Sequence, residues 1–273
     1  MNFVSELRNL DIEENDLSLH LNEAKFGFDH IYKYCDELKI RSNVLEIGCG
    51  SGILLGMLYS KYKDIEFEGI EPFESGLENF SKLSLLNDHI TKMKIKIYNK
   101  NYEEFMPKKK YELIFCINVF EHLNNWRDFI DQTSNWLKPG GRIVVLCPNY
   151  ALPYESHFKL PIIYNKKLTY RIFENYISNF EKKNNFCGLW NSLNFVKKNN
   201  VKKYLNNSNK LKLFDDLSII DHLVNRLLHD ENFKKRQKFI GLVATVFKKF
   251  GIIKLLKLFP NYIPYMKLEF KRM

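Results

Sequence analysis

Residues 43–60 read NVLEIGCGSGILLGMLYS, and the order of residue types in this stretch decides the fold. NVLEI is a short apolar run with β-branched residues, the signature of a buried strand. Gly48, Gly50 and Gly52 then alternate through a tight loop, and ILLGMLYSKY continues at helical spacing. IEFEGI (65–70) supplies a second strand and ESGLENFSKLSLL a second helix, which completes one βαβ unit. KMKIKIY (92–98), YELIFCI (111–117) and GRIVVLC (141–147) follow as strands. DFIDQTSNWL (128–137) is a helix stopped by Lys138-Pro139-Gly140-Gly141. The whole reads as a doubly wound α/β sheet.

In such a sheet a ligand sits beyond the carboxyl ends of the strands, so the loop after the first strand is the place to look. Its glycines admit positive φ and let backbone approach a ligand closely. A dinucleotide site wants G-x-G-x-x-G, but Ile53 stands where the third glycine belongs, and Glu46 faces the loop from the strand. A carboxylate there disfavours a pyrophosphate and suits a ligand with an ammonium or sulfonium end.

E-I-G-C-G-S-G, followed by a second strand ending in an acid (FEGIEP), resembles motif I of the class I S-adenosylmethionine (SAM)-dependent methyltransferases. VFEHLNNWRDFIDQTSNWLKPGGRIVVLCPNY is similar to the family's block from the fourth strand through a helix into the fifth. The resemblance covers residues 40–150 and implies a Rossmann-like seven-stranded sheet with an antiparallel last strand. It also implies SAM as methyl donor and S-adenosylhomocysteine (SAH) as product. Glu46, Gly48, Cys49, Gly50 and Gly52 then surround the amino-acid end, while Glu71 and Pro72 meet the ribose. Asn101 and Tyr102, in NKNYEEF, stand near the adenine, where the family usually carries an Asp; Asn118 closes the fourth strand.

Methyl transfer requires alignment, exclusion of water and, for a hydroxyl, a base. His122 of EHL and His157 of PYESHF are the candidates, with His157 preferred and Glu155 as its orienting partner; Tyr150 and Tyr154 wall the acceptor. Each has a structural alternative, a loop-orienting histidine or a polar loop cluster. The resemblance raises a divalent cation, but Asn118 stands where an acid would help, so no metal is expected.

LWNSLNFVKKNNVKKYL resembles the family's helix before the sixth strand, KLKLFDD (210–216) is that strand, and the last strand falls near 265–270. One domain spans 1–273, with a helical cap at 1–40 and substrate-side insertions at 148–196 and 217–258. FIGLVATVFKKFGIIKLLKLFP is an amphipathic segment that either rests on an anionic membrane or packs as a lid or dimer surface. Its four lysines and its length exclude a spanning helix.

The 273 residues are 45% hydrophobic and carry a net charge of +10. Residues 197–273 hold eighteen basic and six acidic side chains, so the excess is local: a membrane-facing or nucleic-acid-facing tail, or a solvated helical face. Five scattered cysteines without C-x-x-C spacing read as reduced thiols. The start lacks signal-peptide character, and a cytoplasmic protein, peripheral to the membrane at most, is expected.

The expected acceptor is a small molecule, a sugar hydroxyl of a capsule- or lipopolysaccharide-type glycan or a phosphoramidate-type substituent, nucleotide-linked or phosphorylated. A quinone or phenol at the membrane face is the alternative, and a catalytically silent binding protein is a third reading. Nucleic acid is disfavoured: INVF replaces the base-amine motif after the fourth strand, and CPNY follows the fifth.

Overall fold

The computed structural model describes residues 3–73, 80–206, 208–229 and 258–273. Its centre is a seven-stranded sheet built from β1 (Asn43–Ile47), β2 (Glu66–Ile70), β3 (Lys96–Tyr98), β4 (Tyr111–Ile117), β5 (Leu137–Pro148), β8 (Leu211–Asp215) and β9 (Tyr265–Arg272). The spatial order is β3-β2-β1-β4-β5-β9-β8. The first five strands are parallel, whereas β9 runs antiparallel to both β5 and β8. The chain order reverses between β1 and β4, which places the crevice where the glycine loop emerges.

Near-continuous burial of β1, β2 and β4 follows from cover on both faces. On one face α2 (Glu14–Asp36), α3 (Ile53–Lys61) and α9 (Ser218–His229) meet a core containing Leu17, Ile31, Leu54, Leu58, Phe115 and Ile219. On the other, α5 (Trp126–Trp136) and α8 (Lys198–Asn206) enclose Phe120, Phe129, Ile143, Val201 and Phe270. The cap region is therefore helical, α1 (Phe3–Leu7) followed by the 23-residue α2.

Four features differ from the sequence reading. The helix begins at Trp126, two residues early, because the Asn125 side chain accepts from the Arg127 amide and caps it. Leu137 already pairs with Tyr111, and the KPGG segment lies within β5 at a register shift, so the helix passes directly into an irregular strand. The third strand forms only at Lys96–Tyr98. The segment before β8 is two helices, α7 (Leu189–Ser192) and α8, separated by five residues.

The helix signal at 74–86 is described only from Phe80, as α4 (Phe80–Thr91). The amphipathic segment at 239–260 lies outside the described residues up to 257. Among the described residues no helix is long and apolar enough to cross a membrane.

Beyond β5 the 148–196 region forms a layer of its own. β6 (Tyr154–Glu155) and β7 (Leu160–Pro161) make a small hairpin, and α6 (Lys166–Asn184) and α7 pack with it around Tyr150, Phe158, Ile177, Trp190 and Leu193. The basic tail contributes to the interior as well as to the surface. Lys198 is buried against Asp215 at 3.1 Å, and Lys267 against Asp216 at 2.8 Å. The five cysteines are free, with Cys187 exposed.

Candidate active site

The glycine loop is held by the strands it joins. Gly48 and Cys49 both donate their amides to the Ile70 carbonyl, and Gly50 donates to Glu71 Oε2 at 2.7 Å. One oxygen of Glu71 is thus occupied by the loop, so Glu71 both shapes the loop and presents a carboxylate at the end of β2. Gly48 has φ of +71°, and a Cβ there would meet Val119 Cγ2 at 2.3 Å. Gly50 also lies in the left-handed region, but a Cβ on it would meet nothing within 4 Å. The open side of the loop faces away from protein, the geometry a ligand chain needs.

Glu46 is buried on β1, and its Oε2 has no hydrogen-bond partner among the described residues. Burial, with the nearby Glu71 charge, pushes its carboxyl well above the usual range. An ammonium group beside it would reverse that cost. An orphan carboxylate, an open glycine loop and the N-terminus of α3 at Ile53 therefore fit the amino, chain and carboxylate parts of a methionine moiety. Cys49 is buried behind the loop, and Pro72 sits partly exposed beside Glu71.

The remaining candidate cofactor contacts divide. Asn101 is exposed, whereas the Tyr102 ring is buried, edge-on to Phe129. The Tyr102 backbone lies in the turn between β3 and β4 while its ring packs inward. Asn118, at φ of +56°, accepts from the Tyr265 hydroxyl at 2.5 Å and is exposed at the cleft mouth.

The second half of the site joins two parts of the chain. After β4 a 3-10 turn (Phe120–His122) brings Glu121 inward and His122 towards the lid, and the hairpin brings His157 to meet them. The His122 and His157 rings lie edge to face at 5.4 Å. His157 Nδ1 is 2.6 Å from Glu155 Oε1. Glu155 is fully buried and also accepts from the Phe158 amide and the Tyr150 hydroxyl. Although burial opposes it, those bonds hold the Glu155 carboxyl below its usual range, and Glu155 raises His157 above 6.5 against the ring's own burial.

Tyr150 is buried and stacked on Phe195, and its hydroxyl supports Glu155. Tyr154 remains partly exposed on β6.

His122 is oriented in the other direction. The Ser192 hydroxyl donates to the Leu189 carbonyl, so it receives its 2.8 Å bond from His122 Nδ1–H. The His122 Nε2 lone pair is left facing Glu121, 3.9 Å from Oε1. Burial, with the His157 charge, lowers His122 to about 4, so it is neutral at physiological pH.

Glu121 has no exposed surface, and neither carboxylate oxygen bonds another described residue. Burial raises it to about 7, against the pull of His157 and of its own amide. A Glu121 oxygen and one nitrogen from each ring lie within 4.8 Å of one another. Glu121 Oε1 and His122 Nε2 are 3.9 Å apart, so the three side chains converge on one space.

Ser192 and Asn194 were not legible as site residues. Asn194 takes the Glu121 carbonyl with its amide and bonds the Phe120 and Leu123 carbonyls with its side chain, which fixes the turn. They lie some seventy positions from the residues they hold.

This sheet, with an acid-flanked glycine loop at its switch point and titratable side chains across the cleft, defines a SAM-dependent methyltransferase. The chain belongs to the methyltransferase-domain family, whose model matches residues 22–198, and it uses SAM as methyl donor. It is 28% identical over 215 residues to an uncharacterized protein of Mycobacterium tuberculosis, covering 79% of this chain and 73% of that one.

Over 110 residues it is 32% identical to malonyl-[acyl-carrier protein] O-methyltransferase 2 of Ilyobacter polytropus, covering 37% and 38% of the two chains. A solved structure, phosphoethanolamine N-methyltransferase 2 of Haemonchus contortus with SAM, superposes with a TM-score of 0.54 at 13% identity. That likeness covers 90% of this chain and about half of the other (52%).

Proposed function

We propose that the protein methylates a hydroxyl oxygen of a small-molecule acceptor, with His157 as general base oriented by Glu155. The preferred acceptor class is a sugar of a cell-surface glycan, carried as a nucleotide-linked or phosphorylated precursor. The observation that carries the reading is the 2.6 Å contact between His157 Nδ1 and the buried Glu155 carboxylate. SAM supplies an electrophilic methyl group; the chain supplies the rest. Glu46 and the glycine loop hold the donor's charged end, Glu71 stands at the ribose position, and Asn101 lies at the adenine rim. Glu155 fixes the His157 tautomer, so that the remaining nitrogen accepts the hydroxyl proton. Lysines at the surface favour a phosphorylated acceptor. The likeness to a malonyl-carrier O-methyltransferase supports oxygen as the methylated atom.

Labelled SAM incubated with a panel of sugar nucleotides and sugar phosphates, followed by NMR of the product, tests this. An O-methyl sugar is expected. A methyl group on nitrogen, or turnover preserved in His157→Ala, would overturn it.

A second reading, a quinone or phenol acceptor at a membrane face, is favoured by one observation. Tyr164, Leu168, Ile172 and Tyr176 expose an apolar line leading into and along α6 of the lid. Methylation of a short-chain quinol in vesicles, with no sugar product, would select it.

A further inference from the structure

Glu121 has no role in the reading above, although its carboxylate is fully buried and, unlike that of Glu155, has no hydrogen-bond partner among the described residues. We propose that Glu121 and His157 act as a pair that shares a single proton and grips the acceptor hydroxyl from two sides, so that Glu121 is a second catalytic residue. The inference rests on the His157 base reading and extends it.

The geometry gives three reasons. Glu121 is fully buried with both oxygens unpartnered by other described residues, so something that enters the site must satisfy them. Its oxygen, a His157 nitrogen and a His122 nitrogen converge on one space, all within 4.8 Å of one another. Both rings are held from outside, by Ser192 and by Glu155, so their remaining nitrogens are committed to that space. A neutral hydroxyl has one proton to give and a lone pair to fill. Three acceptors without a donor would leave it half-satisfied; one proton held by the pair repairs this.

With the proton on His157, the ring donates to the acceptor oxygen and the hydroxyl donates to Glu121. With the proton on Glu121, the roles exchange. As the acceptor O–H bond breaks, its proton joins the pair; the O–CH3 bond forms as the S–CH3 bond of SAM breaks, leaving neutral SAH. The pair then carries two protons and returns one to solvent.

The charged and titratable groups around the pair come from every packed element: Glu155 on the hairpin, His122 on the turn, Tyr150 after β5, Cys116 and Cys147 on β4 and β5, and Glu23 on α2. Burial raises the Glu121 carboxyl and Glu155 raises the His157 ring; across the pair the cationic ring pulls the carboxyl down and the carboxylate raises the ring, the mutual coupling that sharing requires.

The test uses the full chain loaded with SAH and follows the His157 ring by NMR from pH 5 to 9, which needs no acceptor. Wild type should titrate in two coupled steps. In Glu121→Gln the ring should titrate in one step, about one pH unit lower, because a facing carboxylate has gone. With the acceptor found in the sugar panel, Glu121→Gln should lose about 10²-fold or more in turnover at unchanged SAH affinity, and the pH profile should lose one limb.

An unshifted His157 titration in folded Glu121→Gln, or wild-type turnover, would overturn the pair. In that case a dead His157→Ala leaves the simple base reading standing. Full turnover in His157→Ala overturns both.

Discussion

Replacing Glu121 by Gln should make the protein more stable at alkaline pH, and the size of the gain follows from the burial of one carboxylate. Its folded value of about 7 stands above the ordinary 4.5. Below pH 4.5 both the folded and the unfolded chain hold the proton, and the group is neutral in the balance. Between 4.5 and 7 the unfolded state ionises first, so the folded state binds more protons and stability falls as pH rises. Well above 7 the loss is complete, at about 3 kcal/mol for two and a half units. Glutamine keeps the shape without the charge and escapes this loss.

At pH 5.5 the variant should lead wild type by about 1 kcal/mol, and at pH 8.5 by about 3 kcal/mol. The informative quantity is therefore the widening of the gap, about 2 kcal/mol. Guanidinium unfolding of both proteins at the two pH values, at fixed ionic strength, measures it through the midpoint and slope. A gap that stays constant, or that narrows towards alkaline pH, would refute the assignment of Glu121 as a buried, unpaired carboxyl. The reasoning about its shared proton would fall with it.

Two further outcomes are expected at the cofactor end. Glu71→Ala should weaken SAH by about 1.5–3 kcal/mol, since a charged acceptor is lost from the ligand and from the Gly50 amide together; calorimetry showing an unchanged dissociation constant in a folded variant would remove Glu71 from the site. Gly48→Ala puts a side chain at φ of +71° and 2.3 Å from Val119 Cγ2, so it should cost about 2 kcal/mol or more in stability and weaken SAH binding. Adding Val119→Ala should recover part of the loss but not the backbone strain, and complete recovery would show that only the clash mattered.

The order of strands and helices, and with it the position of the glycine loop, was legible because those features are local. An apolar run next to a positive-φ loop next to a helical period needs no distant partner to be recognised. Glu46, Gly48, Gly50 and Glu71 lie within 26 residues of one another, and parallel pairing of β1 with β2 brings their ends together. Even here packing adds what the sequence does not show: Tyr102 lies in the turn of NKNYEEF, but Phe129, twenty-seven residues on, supplies the aromatic face that draws its ring inward.

The acceptor end was decided by tertiary structure. The motifs EHL and PYESHF name His122, Glu155 and His157, but nothing local tells which nitrogen of a ring is free or whether a carboxylate has a partner. Those facts depend on Ser192 and Asn194, brought to the turn by the lid, and on the depth at which Glu121 is enclosed. Residue type sets what a side chain is able to bond; only the folded chain sets which of those bonds are already made, and the groups left over are where the chemistry resides.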